Sequence, residues 1–254
     1  MNPFKYFSRS ETVAADLPDW VRNDLQRYFM SGYLEAAFAP GAAHRRLLQL
    51  LGELHAGDPR PGSHWEQKYP HTKDLRPSAG EYDDSVLDVL IESDVPGLLR
   101  RATGLSLTLA HVQIRLVLPG NSYMDWHRDT HYYDGALTGA IPPMHKVIYY
   151  PALGAAAPQL KVAPGSHRRV MPDQKRDLQQ VAESGIRTIA SSDERFLLFE
   201  TSLLHAVVPE TNARGSLRVI YAFGQQSQLE PFENSRAVQR RYAALLERAE
   251  VDRR

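Results

Sequence analysis

His127-Arg128-Asp129, followed far downstream by His205 and then Arg214 and Arg218, are the residues whose types and spacing can do chemistry. Two imidazoles and one carboxylate on one face of a metal ion leave the opposite face open. That suits iron(II), which then has room for a cosubstrate and O2. The trailing arginines offer the cation that a dicarboxylate cosubstrate needs. His127 and Asp129 are two apart, so an extended segment points both to one side. His131 would complete a local cluster, but the four residues from His127 span about 13 Å of strand, too far for ligands of one ion. In a helix His127 and His131 would meet, and Asp129 would point away. The third ligand is therefore expected from another strand, and His205, at the start of an apolar strand, is best placed. Singly, His127 reads as a turn histidine beside Trp126, and His205 as a buried histidine bonded to a carbonyl. Their order, with an apolar strand before His205 and an arginine strand after it, favours metal binding.

The elements that must position these residues fall into two groups. The N-terminal third reads as helical. Leu17-Pro18-Asp19-Trp20 opens a helix carrying Leu25, Tyr28 and Phe29. His44 to His55 form an amphipathic helix, Asp83 or Asp84 caps another through Ile91, and Val95 to Thr103 form a fourth, ended by Gly104. From Leu105 the pattern becomes β-branched and apolar. Strands are expected at Leu107–Leu118, Lys146–Tyr150, Leu160–Ala163, Arg187–Ala190, Arg195–Glu200, His205–Val208 and Arg218–Phe223. Short strands between turn residues indicate an antiparallel sandwich or barrel, not βαβ units. A charged helix follows, packed outside through Val238, Leu245 and Leu246. The expectation is an α+β chain with no linker, one domain over 1–254. Its helical region covers 1–104, its β core, built as a jelly roll, covers 105–226, and a C-terminal helix covers 233–252.

The 254 residues can bury a substantial core. With 30 basic and 30 acidic side chains, the balance offers no electrostatic grip on nucleic acid or an anionic membrane. A small-molecule substrate is the default. The absence of cysteine excludes disulfides and thiolate metal sites and fits a reducing cytoplasm. The first twenty residues lack a basic region followed by an apolar run, so no secretory signal is expected. No apolar stretch reaches membrane-spanning length. A cytoplasmic protein is expected; the oligomeric state is left open.

From about Leu107 to Phe223 the chain resembles the phytanoyl-CoA dioxygenase family of iron(II)/2-oxoglutarate oxygenases. The matching pieces are Asp125-Trp126-His127-Arg128-Asp129, the stretch from Pro158 to Arg168 with its Pro164-Gly165-Ser166-His167, the run Phe196 to His205, Asn212, and the strand from Arg218 to Phe223. Pro158 and Gln159 replace the family's usual small residues. The resemblance implies a double-stranded β-helix (cupin-like) with iron held by His127, Asp129 and His205. It implies 2-oxoglutarate as cosubstrate, its distal carboxylate on Arg218, with Arg214 as second choice, and O2 as co-reactant. Some members place a glutamine where Gln113 stands. Gln113 and Arg115 share a face, which is either the barrel interior or solvent. His131, Tyr132 and Tyr133 could line a substrate pocket or form ordinary aromatic packing. Lys146 could contact a polar substrate or the cosubstrate, or simply be exposed. Residues 64–71 read as a lid or a surface loop, and His167 as structural. The implied activity is hydroxylation of an unactivated C–H bond in a small polar metabolite, releasing succinate and CO2. The alternatives are a jelly-roll binding or sensing module without turnover, and a zinc hydrolase using the same triad.

Overall fold

The computed structural model describes residues 19–57, 59, 61–77, 82–120, 124–129, 132–133, 136–137, 144–153, 156–171, 173–225 and 235–252. Two sheets face each other. The larger runs in the order β1 (Tyr33–Ala37), β10 (Arg195–Glu200), β7 (His145–Tyr149), β12 (Ser216–Gly224), β4 (Thr108–Val117), β3 (Thr72–Pro77) and β2 (Ser63–Tyr69), and the smaller as β11 (His205–Val207), β8 (Pro158–Val162) and β9 (Arg187–Ala190). Every pairing in the two sheets is antiparallel. A third pairing joins β5 (Tyr132–Tyr133) to β6 (Ala136–Leu137).

Period-two alternation sorts the central strands into two faces. On one, Val112, Ile114, Val147, Tyr149, Leu198, Val219, Tyr221 and Phe223 pack against helices. Those helices are α1 (Asp19–Ser31), α2 (Ala42–Ala56), α3 (Asp84–Glu92), α4 (Val95–Thr103) and, at the C-terminus, α6 (Ser235–Asp252). Leu47, Leu51, Val86, Leu90, Leu99 and Tyr242 are their buried contributions. On the other face Ile148, Tyr150, Leu197, Phe199 and Ile220 meet Leu160, Val162, Ile189 and Val207 of the smaller sheet. The architecture is a double-stranded β-helix with helices outside, in the α+β class.

Helix ends follow local chemistry. The Asp83 side chain accepts from Ser85 N at 3.0 Å to start α3, and Gly104, at φ +69°, ends α4. The N-terminus of α2 lacks its own side-chain cap; Ala43 N and His44 N donate instead to the Glu92 carboxylate at 2.8 and 2.9 Å. Asp173 caps α5 (Gln174–Glu183), a helix the sequence pattern did not announce.

Among the described residues, three strands lie in the stretch read as helical. β1 closes one edge of the large sheet by pairing with β10, and the hairpin β2–β3 extends the other through β4. Residues 63–69 and 72–77 are thus sheet, not a lid or loop. Their polar sequences, SHWEQKY and TKDLRP, carry no strand alternation. Pairing with an existing edge, not intrinsic propensity, holds them extended. Among the described residues no helix is long and apolar enough to cross a membrane.

Candidate metal centre

The His127–Asp129 segment and the start of β11 pair as a short bridge. His127 N donates to His205 O at 2.9 Å, and His205 N to His127 O at 3.0 Å. Val207 N reaches Met124 O and Asp129 N reaches Thr201 O, at 3.1 and 3.0 Å. This pairing brings residues 78 positions apart into one cluster: one ligand atom from each of His127, Asp129 and His205 lies within 4.8 Å of the others. His127 Nε2 is 3.8 Å from Asp129 Oδ1, and His205 Nε2 is 3.5 Å from Asp129 Oδ2. His131 lies outside the described residues.

The imidazoles are set for a cation. His127 Nδ1 lies 2.6 Å from Asp125 O and His205 Nδ1 lies 2.8 Å from Leu203 O. A carbonyl only accepts, so each Nδ1 carries a proton and each Nε2 is directed at the carboxylate. Metal-binding histidines use this arrangement, in which the second ring nitrogen is tied to an outer acceptor. Burial pushes the His205 pKa down to about 4, against the pull of Asp129, so its ring is neutral at pH 7. Burial alone would raise Asp129; the Lys146 ammonium, with His205 and His127, holds it well below the usual carboxylate range. The donor set of two imidazole nitrogens and one carboxylate, with nothing softer, fits iron(II).

Two supports of the ligand strands are visible. Arg128, between the ligands, turns away from them into a closed environment. Its Nη2 donates to Asp177 Oδ1 at 2.8 Å, its Nε bonds the other Asp177 oxygen, and its Nη1 reaches Ser202 O. Both side chains are fully buried. The ion pair therefore ties the first ligand strand to α5 and to the turn before His205. The second support is the turn Pro164-Gly165-Ser166-His167. Gly165 takes φ +80°, where side chains are disfavoured, and Ser166 Oγ accepts from Leu204 N at 2.9 Å. Ala163 N donates to Leu204 O, also at 2.9 Å, so the residue before His205 is held from both sides. His167 is buried, with Nε2 2.9 Å from Phe29 O, and serves to dock α1.

The interior face of the large sheet reaches the cluster at Lys146. Arg218 lies opposite Arg115, Ile220 opposite Gln113, and Ala222 opposite both His111 and Lys146. Ile220 belongs to the interior apolar cluster. Residues 111, 113 and 115 therefore face the barrel interior, not solvent. Arg115 is committed to Asp74: Nε to Oδ1 at 2.6 Å and Nη2 to Oδ2 at 2.9 Å, both side chains buried. Arg218 is 4% exposed, with its guanidinium carbon 6.0 Å from the Tyr150 ring centre. Burial, aided by the nearby Arg115 charge and opposed by Asp74, pushes its pKa down to about 9. Arg214 stands instead in the exposed turn Asn212–Gly215, its backbone N bonded to Asn212 Oδ1. Lys146 Nζ sits 2.7 Å from Asp129 Oδ2, beside the Phe199 ring. Tyr132 and Tyr133 lie in β5, paired with Leu137 and Ala136.

Residue reasoning missed the Arg128–Asp177 and Arg115–Asp74 pairs, whose members are 49 and 41 positions apart. A charged residue wedged between two ligands was the one signal for the first. For the second, the sequence carried no signal, because Asp74 lies on a strand with no alternating pattern.

Comparison with solved structures decides the fold type. The epimerase SnoN, in complex with Fe3+, alpha ketoglutarate and nogalamycin RO, superposes with a TM-score of 0.61 at 14% identity, covering 82% of this chain and 85% of its own. The fold is that of iron- and 2-oxoglutarate-dependent oxygenases. EctD from S. alaskensis, with 2-oxoglutarate and 5-hydroxyectoine, matches at TM-score 0.58 and 18% identity over 86% of this chain and 81% of EctD. HygX from Streptomyces hygroscopicus, with nickel and 2-oxoglutarate bound, gives 0.57 and 16% over 81% and 87%. The chain spans half the length of another match, EvdMO1. No protein-family model matches the chain, and no curated protein matches it. This oxygenase fold hosts an epimerase and a carbocyclase, so it leaves the reaction outcome open.

Proposed function

We propose that the protein is an iron(II)- and 2-oxoglutarate-dependent oxygenase that hydroxylates a small polar metabolite. One observation carries the proposal: both ligand imidazoles are locked with Nε2 facing Asp129, above a barrel interior that contains a buried arginine. His127, Asp129 and His205 would hold the ion. Arg218 would take the distal carboxylate of 2-oxoglutarate through two parallel hydrogen bonds, and that anion would compensate its buried charge. Arg115, neutralised by Asp74, would buttress Arg218 from the neighbouring strand without itself binding the cosubstrate. Gln113, two residues along the same face, would help orient it. Bound together at this site, iron(II), 2-oxoglutarate and O2 supply the oxidation of an unactivated C–H bond, with succinate and CO2 as coproducts. The apolar walls from Ile148, Leu197, Phe199 and Ile220 keep water away from that reaction.

Membership of the phytanoyl-CoA dioxygenase branch rests on the order of the DWHRD, PGSHR and FLLFETSLLH pieces. Hydroxylation is favoured over halogenation because Asp129 keeps the carboxylate that related halogenases replace with glycine or alanine. A polar metabolite fits the zero net charge and the lysine, histidine and arginine of the interior. HygX with hygromycin B and EctD with 5-hydroxyectoine show polar molecules accommodated in the same fold.

The test is succinate formation from 2-oxoglutarate by purified protein with iron(II), ascorbate and O2, compared with Asp129→Ala. Iron-dependent succinate that disappears in the variant supports the proposal. Divalent-ion binding without any succinate, across candidate substrates, favours the binding module. Hydrolysis under argon that ignores 2-oxoglutarate favours the zinc enzyme.

A further inference from the structure

Lys146 places its ammonium against the carboxylate that would ligate the ion. Its ammonium contacts Asp129 Oδ2 at 2.7 Å, and His205 Nε2 is 3.5 Å from that same oxygen. Asp129 is the single carboxylate of the cluster. Lys146 enters from β7 on the interior face, and its stem runs beside Phe199. The groups facing it are Asp129, His205, His127, and His111 across the sheet.

Asp129 and Lys146 already neutralise each other. A divalent ion added to that pair leaves two uncompensated positive charges in a largely water-excluded site. If Lys146 stays, it repels the ion at close range. If its flexible stem swings away, the ion must first break the Lys146–Asp129 pair. Both routes weaken binding of the metal alone. A 2-oxoglutarate dianion shifts the balance, because one carboxylate brings negative charge to the ion while the distal carboxylate answers Arg218.

We propose that Lys146 makes metal binding conditional on the dicarboxylate: it weakens the site for a bare divalent ion and thereby enlarges the mutual enhancement between ion and 2-oxoglutarate. This rests on the metal and 2-oxoglutarate reading above. Lys146 acts through Asp129 and the local charge, so it is a positioning residue. Linkage requires the effect to be reciprocal, so the ion must strengthen 2-oxoglutarate binding by the same factor.

The experiment is titration calorimetry of metal-free protein with Mn2+, with and without saturating 2-oxoglutarate under argon. It is run on wild type, Lys146→Met, Lys146→Gln and Lys146→Arg. Methionine keeps the packing beside Phe199, glutamine keeps a hydrogen bond to Asp129, and arginine keeps the charge. The neutral variants should bind Mn2+ alone about tenfold more tightly than wild type, at the lower end of what outer partners of metal ligands contribute. Their enhancement by 2-oxoglutarate should shrink by a similar factor, and Lys146→Arg should behave as wild type. Equal or weaker binding of Mn2+ alone by both neutral variants, with undiminished enhancement, overturns the inference and leaves the oxygenase reading intact. Wild-type protein that binds no divalent ion under either condition removes the metal reading, and this inference with it.

Discussion

The two faces of β12 are equally buried and chemically opposite. Leu217, Val219, Tyr221 and Phe223 point to the helices, and all but Tyr221 are wholly hydrocarbon. The Tyr221 hydroxyl donates to Val86 O at 2.7 Å. Arg218, Ile220 and Ala222 point the other way, toward Arg115, Gln113, His111 and Lys146. Exposure alone does not separate the faces, since Arg218 and Val219 are 4% and 0% exposed. Polarity does. An unfavourable polar group inside a barrel persists when ligands, not packing, set the composition. On the proposed function, the outer face answers to stability and the inner face to chemistry.

That division can be broken most directly at Asp129. Asp129→Ala should reduce divalent-ion affinity and 2-oxoglutarate turnover by more than about a hundredfold, beyond the loss of an outer partner. Circular dichroism should show the fold retained; collapse of the fold would erase the distinction. On the opposite face, Tyr221→Ala should destabilise by about 3–5 kcal/mol, the usual cost of an aromatic-to-alanine cavity. Urea unfolding measures this, and kcat/KM of the remaining folded protein should be unchanged. Arg218→Met should raise the KM for 2-oxoglutarate by roughly 10- to 100-fold, matching about 1.5–3 kcal/mol for charge-assisted bonds. Stability should change little; a pure stability loss with normal KM would place Arg218 with the outer face.

The smallest effect concerns acid. Burial pushes His111, His145, His167 and His205 down to about 4. Unfolded histidine titrates near 6.5, so between these values the unfolded chain binds more protons. Stability is therefore fully present above pH of about 6.5 and falls as pH drops toward 4. His145, which shares a 2.7 Å hydrogen bond with Tyr28 on the helix side, contributes without touching the site. His145→Gln should flatten the decline of Tm with falling pH by about one proton's worth. An unchanged slope would mean that this histidine does not stay neutral when buried.

The His127–Asp129–His205 cluster was legible because its residues stand in short, polar, oddly placed runs. A histidine-arginine-aspartate between loops and an arginine opening an apolar strand conflict with packing, and such conflict can be read without coordinates. The β strands from 107 onward were readable for the opposite reason: their apolar alternation agrees with burial. The sheet edges gave no such signal. β1, β2 and β3 are held by neighbours that only the fold supplies, and Asp74 reaches Arg115 from one of them. Asp177 met Arg128 from a helix whose amphipathic pattern is polar overall. The direction of Gln113 needed the second sheet, because an alternating strand does not reveal whether its polar side meets water or an interior.

The carbonyl bonds that fix both imidazoles have one more consequence. A pair of imidazoles oriented before the ion arrives has little means of telling one divalent metal from another. Sites of nitrogen and oxygen donors hold nickel, copper and zinc more tightly than iron. The element recovered with this protein from a culture would then report what the medium supplied, and only reconstitution after thorough chelation would reveal which metal works.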